Sequence, residues 1–348
     1  MLLQEVKRKR SWVLSCLSGL LLLLAYPPFD LHWCAWLAFI PFLKALKAQR
    51  KKDAFLLGYA AGFVFWAGLI YWLVHVTVLG TLALVSYLAL FFAFFGLAVS
   101  IFERSKNWQL LLFPAVWVLL EYLRSHLFTG FPWALLGYSQ YLNIPVIQAA
   151  AFTGAWGLSF LLMMVNVGVY SFVEEFLQAR HFRRAVYRLL PAAVALSLAF
   201  SYGYFALHRR PSTVDRRPVR ISVIQGNIPQ DMKWAPDARY KIVDRYRELS
   251  LSAAKSSPDL IVWPEAASPV FLGEDEPLYE DIFSIAGSAR TPLLIGSVVR
   301  DGERYYNSAL LIDARGSIVS RYDKLHLVPF GEYIPLRNVF PFLQTIAP

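Results

Sequence analysis

The chain is short of charge. Only 17% of its 348 residues are Asp, Glu, Lys or Arg, where soluble domains carry about 25%, and 57% are hydrophobic. Acidic residues are scarcest in the first part. Residues 1–208 hold 7 of them against 16 Lys and Arg, a net of +9, while residues 209–348 hold 17 against 18. Nearly all of the overall excess of +10 therefore belongs to the hydrophobic part, which points to membrane topology and away from nucleic acid. The polar part has no basic stripe interleaved with stacking aromatics. Cysteine is nearly absent: Cys16 and Cys34 lie inside apolar segments and none follows. Neither a disulfide framework nor a metal-ligand spacing can be written from them, and both read as small buried hydrophobes. No metal and no cofactor is implied. Repeats and low-complexity segments are missing too, and no small-residue cleavage site marks the first apolar run as a removable signal peptide.

What the first 208 residues do contain is a series of apolar stretches near 11–26, 33–46, 54–79, 81–102, 108–123, 152–173 and 186–207. A spanning helix needs roughly 17–25 apolar residues, so most of these reach the length unaided. The stretch at 33–46 is short and holds Pro41, and Tyr26-Pro27-Pro28 interrupts the first. The basic residues test the count. With the N-terminus in the cytoplasm, 15 Lys and Arg fall in inside loops, and Arg124 alone falls outside before residue 209. The positive-inside rule then predicts a membrane domain of about seven transmembrane helices over 1–208, with residues 209–348 on the extracytoplasmic face. Residues 126–150 mix Gly, Pro, Trp and Tyr with aliphatics and read as an interfacial loop or short helix, either a lipid-facing rim or plain packing.

From residue 219 the pattern changes to strands alternating with helices: strands at 219–227, 259–265, 292–299, 305–313 and 317–324, helices at 237–255 and 277–289, and Gly-containing turns at 302 and 316. That alternation predicts an α/β sheet with mostly buried strands. Three strand ends carry polar side chains: Gln225-Gly226-Asn227, Pro264-Glu265, and the loop 322–335 with Lys324, His326 and Glu332. Ligands of open α/β sheets collect at such ends. A carboxylate shielded with an ammonium can act as general base while the cation stabilises an oxyanion, so Glu265 and Lys324 are candidates; a structural ion pair is the plainer account of them. His326, two residues after Lys324 on an extended segment, points away and reads as structural. Glu332, after Gly331 in a loop, reads on its own as solvated.

"LIVWPE" (260–265) followed by "YDKLHLVPFGE" (322–332) resembles the nitrilase (carbon–nitrogen hydrolase) superfamily. The preceding spans, "FTGAWGLSF" (152–160) and "VIQGNIPQDMKW" (223–234) resemble its membrane-fused branch, the apolipoprotein N-acyltransferases. The resemblance covers essentially the whole chain. It implies a polytopic α-helical membrane domain followed by a nitrilase-like αββα sandwich. It makes Glu265 the general base, Lys324 the transition-state stabiliser, Glu332 a supporting glutamate and Trp234 a substrate contact. It also implies a bacterial inner-membrane enzyme with its catalytic domain on the periplasmic face, a phospholipid acyl donor, a cysteine thioester intermediate and the α-amino group of a diacylated apolipoprotein as acceptor.

One departure is visible. The family's nucleophilic cysteine lies on a further strand beyond the lysine, whereas this sequence stops at Pro348, 24 residues after Lys324. The expectation is an incomplete sandwich over 209–348 that forms no thioester by itself. Two other functions fit parts of the sequence: a membrane-anchored amidase acting on a small amide, and a non-enzymatic polytopic protein with an outer binding domain. Anchoring an amidase needs only one span. A transporter is disfavoured because Glu121, Arg124, Glu174 and Glu175 sit near the ends of spans, with no charge pathway through the membrane.

Overall fold

The computed structural model describes residues 2–103, 108–179, 182–209, 218–229, 232–233, 235–274, 276–328 and 332. The chain divides into two compact units, Met1–Pro211 and Ser212–Pro348.

The first unit is helical: α1 (Leu2–Leu24), α2 (Phe39–Leu46), α3 (Lys51–Leu69), α4 (Val78–Phe102), α5 (Gln109–His126), the single-turn α6 (Ile144–Ile147), α7 (Ala150–Ala179) and α8 (Phe182–His208). Among the described residues, three helices are long and apolar enough to cross a membrane: α4, α7 over Ala150–Leu177, and α8. The apolar run expected at 54–79 is not one helix. It is divided by the end of α3 at Leu69 and a 3₁₀ turn at Tyr71–His75, and α4 starts after Thr77, whose hydroxyl accepts the Gly80 N–H as an N-cap. The run at 33–46 is likewise split into a 3₁₀ turn, His32–Trp36, and α2.

Small residues let α3 and α4 approach. A Cβ on Gly58 would lie 2.4 Å from the Phe92 carbonyl oxygen, and one on Gly96 2.5 Å from that of Ala54, the packing by which apolar helices associate without a hydrophobic driving force between them. Around this seam the core is aromatic: Trp117 of α5 meets Phe39, Phe92 and Phe95 edge-on at centroid distances of 4.7, 4.9 and 5.2 Å.

Two non-helical segments run through this unit, and buried side chains satisfy their backbone groups, as an apolar surrounding demands. Asn166 of α7 accepts the Phe39 N–H and donates to the Ala35 carbonyl, both at 2.9 Å. Gln140 accepts from the Trp36 indole and donates to the His32 carbonyl. Glu121 and Arg124, near the C-terminal end of α5 as expected, are both 97% buried. Arg124 Nη1 donates to the carbonyls of Phe131 and Trp133, each at 2.6 Å, and lies over the Trp66 ring. Glu121 Oε1 accepts the Leu136 N–H at 2.6 Å and the Trp117 indole N–H at 3.0 Å. The charges thus fasten the loop at 131–136 to a helix. The side chains of Phe128, Trp133, Tyr138 and Tyr141 in the same segment are exposed.

The second unit is built on a mixed sheet of β1 (Ile221–Val223), β2 (Leu260–Val262), β3 (Phe271–Leu272), β4 (Leu293–Asp301), β5 (Arg304–Ile312) and β6 (Ile318–Asp323), with α9 (Arg239–Ala254) and α10 (Glu276–Ala289). The order is β1-β2-β4-β5-β6. The first three are parallel, β4-β5-β6 are antiparallel, and β3 also pairs with β4 in parallel. Gly302 and Gly316, at φ +61° and +86°, make the two turns that close the antiparallel hairpins.

Alternation decides which face each strand residue joins. Ile261, Leu293, Ile295, Leu310 and Ile312 are buried with Ile242, Tyr246, Tyr279, Ile282 and Ile285 from the two helices. Trp263 completes this core by stacking on Tyr246 and donating its indole N–H to Ser250. The expectation of mostly buried strands fails at the two edges of the sheet: Ile221 and Val223 of β1 and Val319 and Tyr322 of β6 are exposed. The described residues thus make one sheet with one helical layer, on one face of the sheet.

Candidate active site

The strand that begins with Leu260 does not end at Val262. Trp263 N–H still bonds to the Leu294 carbonyl at 2.8 Å, and Ser268 N–H to the Gly296 carbonyl at 3.1 Å; β3 then pairs with Val298 and Val299. β2 and β3 are therefore two parts of one interrupted strand lying along β4. Between the anchors at Trp263 and Ser268, four residues bulge out, and Glu265 is among them. Pro264 suits the interruption because it has no N–H to offer a ladder. Ala266, at φ +47°, turns the chain back through a conformation disfavoured for an L side chain. Beneath the bulge lies Gly296: a Cβ there would come within 2.3 Å of the Pro264 carbonyl oxygen and 2.6 Å of Glu265 Cα. Only a glycine lets β4 pass so close.

Lys324 follows directly on β6, and its N–H donates to the Asn307 carbonyl of β5 at 2.8 Å, which carries the ladder one residue past the strand. Its ammonium donates to Glu265 Oε1 at 2.8 Å and lies 2.9 Å from Glu332 Oε2. Glu332 is fixed locally, since its N–H donates to the Val328 carbonyl at 2.9 Å and its Oε2 accepts the Val328 N–H at 2.7 Å. Asn307 Nδ2 donates to Glu265 Oε1 and to Glu332 Oε1, each at 2.7 Å.

The two glutamates differ in what they have left. Both oxygens of Glu332 are engaged, and its side chain is 23% exposed. Glu265 takes both its donors on Oε1, and its side chain is 64% exposed; among the described residues Oε2 has no partner. Lys324 has three N–H bonds to give and, among the described residues, uses two. The cluster therefore offers one open carboxylate oxygen and one uncommitted ammonium hydrogen.

Lys324 holds the Glu265 carboxyl below its ordinary value, with Asn307 adding to this and partial burial and Glu332 opposing it. For Glu332 burial pushes upward, but the Val328 amide, Asn307 and Lys324 outweigh it and leave the group lowered. Lys324 is raised, first by its bond to Glu265 and further by Glu332, against some burial. All three groups are charged at neutral pH.

Of the residues singled out in the sequence, the structure brings Glu265, Lys324 and Glu332 together. Glu332 is no solvated bystander. No hydrogen bond or ion pair among the described residues joins His326 to the cluster. Gln225 and Asn227 bond to each other at 2.7 Å rather than to it. Trp234 lies outside the described residues. Asn307 escaped the sequence reading although a signal was present: Asn is depleted in strands, and here it interrupts an otherwise strand-forming run, "YYNSALLI".

Each unit is similar to a known family. Residues 18–168 match the family described as apolipoprotein N-acyltransferase N-terminal domain, and residues 220–344 match carbon-nitrogen hydrolase. An apolipoprotein N-acyltransferase of Geobacter metallireducens is 39% identical over 97% of this chain and 68% of its own length. One from Pasteurella multocida is 31% identical over 99% and 68%, and one from Brucella melitensis 34% identical over 92% and 65%. A solved carbon-nitrogen hydrolase from Helicobacter pylori G27 is 23% identical and covers 33% of this chain and 42% of its own, with a TM-score of 0.28. A helical unit of apolar helices joined to a sheet unit with a Glu–Lys–Glu cluster, together with relatives aligned over nearly the whole of its length, makes this chain a member of the apolipoprotein N-acyltransferase family.

Proposed function

We propose that this protein transfers an acyl chain from a membrane phospholipid to the α-amino group of a diacylglyceryl-cysteine at the N-terminus of an apolipoprotein, by way of a cysteine thioester. The observation that carries the reading is the open Oε2 of Glu265 beside the uncommitted hydrogen of Lys324. One is a proton acceptor and the other an oxyanion donor, and they sit next to each other. In the first half-reaction Glu265 accepts the proton of a thiol, which the family resemblance assigns to a strand beyond Lys324. The sulfur adds to the ester carbonyl of the lipid. Lys324 donates to the oxyanion as it forms, the C–O bond breaks, and the departing lysolipid alcohol takes the proton from Glu265. In the second half-reaction the lipoprotein amine attacks the thioester. Glu265 then accepts the amine proton and passes it to the sulfur as the C–S bond breaks, so that the amide forms and the thiol is regenerated.

Glu332, bonded through both oxygens, keeps Lys324 charged and placed. Trp234 is assigned a contact with the substrate. The membrane location is part of the proposal, as are about seven spans over 1–208 and a periplasmic catalytic unit over 209–348 in a bacterial inner membrane. These rest on the 15-to-1 distribution of basic residues and on the apolar helices α4, α7 and α8.

A gel-shift assay of a diacylated lipopeptide incubated with the intact enzyme and phospholipid vesicles tests the substrate pair. A phospholipid-dependent shift is expected. Hydrolysis of a small amide with no shift of the lipopeptide would replace this reading with that of an amidase.

A further inference from the structure

Among the described residues, Asn307 is the one that touches all three charged members of the cluster. It sits in the middle of β5, opposite Val298 of β4. Its carbonyl accepts the Lys324 N–H, and its Nδ2 donates to Glu265 Oε1 and Glu332 Oε1, each at 2.7 Å. Because both neighbours are carboxylate oxygens, which can only accept, the amide has to present its NH₂ and not its oxygen to them. The two Nδ2 hydrogens are then both spent, one on each glutamate.

The cluster needs such a group. Two carboxylates and one ammonium leave one negative charge in excess, and the carboxylates repel each other across a short gap. Lys324 bridges them on one side, through Glu265 Oε1 and Glu332 Oε2, and Asn307 closes the other side without adding charge. The ring so formed places both donors to Glu265 on Oε1, which fixes the rotation of that carboxylate and leaves Oε2 without a partner among the described residues.

We propose that Asn307 is a positioning residue for acyl transfer, one that orients the Glu265 carboxylate so that Oε2 serves as the base. The proposal rests on the reading of Glu265 as the base. Asn307 touches no substrate in this account and acts through Glu265 and Lys324.

The test uses the intact enzyme in phospholipid vesicles with a diacylated lipopeptide. Asn307→Ala should lower kcat by about 10- to 100-fold, the size of one hydrogen bond to a charged group, with KM for the lipopeptide little changed. The acidic limb of the kcat/KM profile should move to higher pH, since the groups facing Glu265 are then only Lys324 and the like-charged Glu332. A merely structural loss would lower the whole profile without moving that limb. Asn307→Asp has the same shape and keeps the strand, but sets a third carboxylate against two. It should shift the limb further, and it serves if the alanine variant does not fold. Combining Asn307→Ala with Glu265→Gln should cost no more than Glu265→Gln alone. Unmoved acidic limbs in both variants, or additive losses in the double variant, would overturn the role of Asn307. Full activity of Glu265→Gln would instead overturn the reading of the base, so the two failures are told apart.

Discussion

Gly296 and Glu265 meet backbone to backbone: a methyl group on the glycine would stand 2.6 Å from Glu265 Cα. A strand bulge pressed onto a neighbouring strand that carries nothing at that point places the backbone of the candidate base, while Lys324 and Asn307 orient its carboxylate. Gly296→Ala must move the bulge, because the close atoms are backbone and cannot rotate away. The expected outcome is a stability loss of about 1–3 kcal/mol, typical of overpacking, together with a larger proportional loss of acyl transfer. Thermal unfolding and the gel-shift assay on one preparation measure both. A variant that transfers normally would mean that the bulge position does not matter to the chemistry.

Lys324 is held from two sides, so replacing Glu332 by Gln should leave the fold intact while loosening the ammonium. Transfer is expected to fall by about 10-fold or more, as when one charge-assisted bond is lost. Lys324→Met removes the oxyanion donor and is expected to cost about 100- to 1000-fold in kcat. Single-turnover acylation measured for each variant gives the order; a larger loss for Glu332→Gln than for Lys324→Met would reverse the assigned roles.

The direction of each shift sets the pH behaviour. Glu265 and Glu332 are lowered, so the stability they contribute is full above the ordinary Glu value, about 4.3, and is lost as pH falls through the lower folded values. Lys324 is raised, so its contribution is full below the ordinary Lys value, about 10.4, and is lost as pH rises through the higher folded one. Between those limits the network stays charged. Acetylation of Lys324, followed by mass spectrometry across pH, should give a midpoint above that of the exposed lysines of the same chain, and Glu265→Gln should bring it down. A midpoint for Lys324 below theirs would contradict the arrangement.

In the helical unit, Glu121 and Arg124 make a separate prediction. Glu121→Ala strands the Leu136 N–H and the Trp117 indole away from water, at about 1–3 kcal/mol for each unsatisfied group. The loop at 131–136 should then be cut sooner by protease in detergent, and the unfolding temperature should fall. Unchanged proteolysis would show that the loop is held by its aromatic contacts instead.

The parts of this fold written in local pattern were legible before any coordinates. The helices and most strands of the second unit follow from periodicity, and the two hairpin turns from Gly302 and Gly316; strand-end placement made Glu265 and Lys324 candidates, and the family resemblance paired them. Other features are tertiary and have no local signature. The bulge at 264–267 exists only because Trp263 and Ser268 both pair with β4, so the two-residue β3 could not be read from Phe271 and Leu272 alone. The break after Leu69 is hidden in a run that stays apolar on both sides. Glu121 and Arg124 read as charges near a helix end because nothing in α5 reveals the loop they hold. Asn307 is intermediate: an unusual residue for a strand, but one whose purpose appears only with two carboxylates beside it.

The central claim is that Glu265 is the base of acyl transfer, and Glu265→Gln tests it most directly. Glutamine keeps the size of the side chain and an oxygen that can still accept from Asn307 and Lys324, but it cannot take a proton. Transfer of a phospholipid acyl chain to a diacylated lipopeptide by this variant should fall by at least about 100-fold, the lower end of what a general base contributes, while membrane insertion and thermal unfolding stay as in the unaltered enzyme. Undiminished transfer by a folded, inserted Glu265→Gln protein would contradict the account.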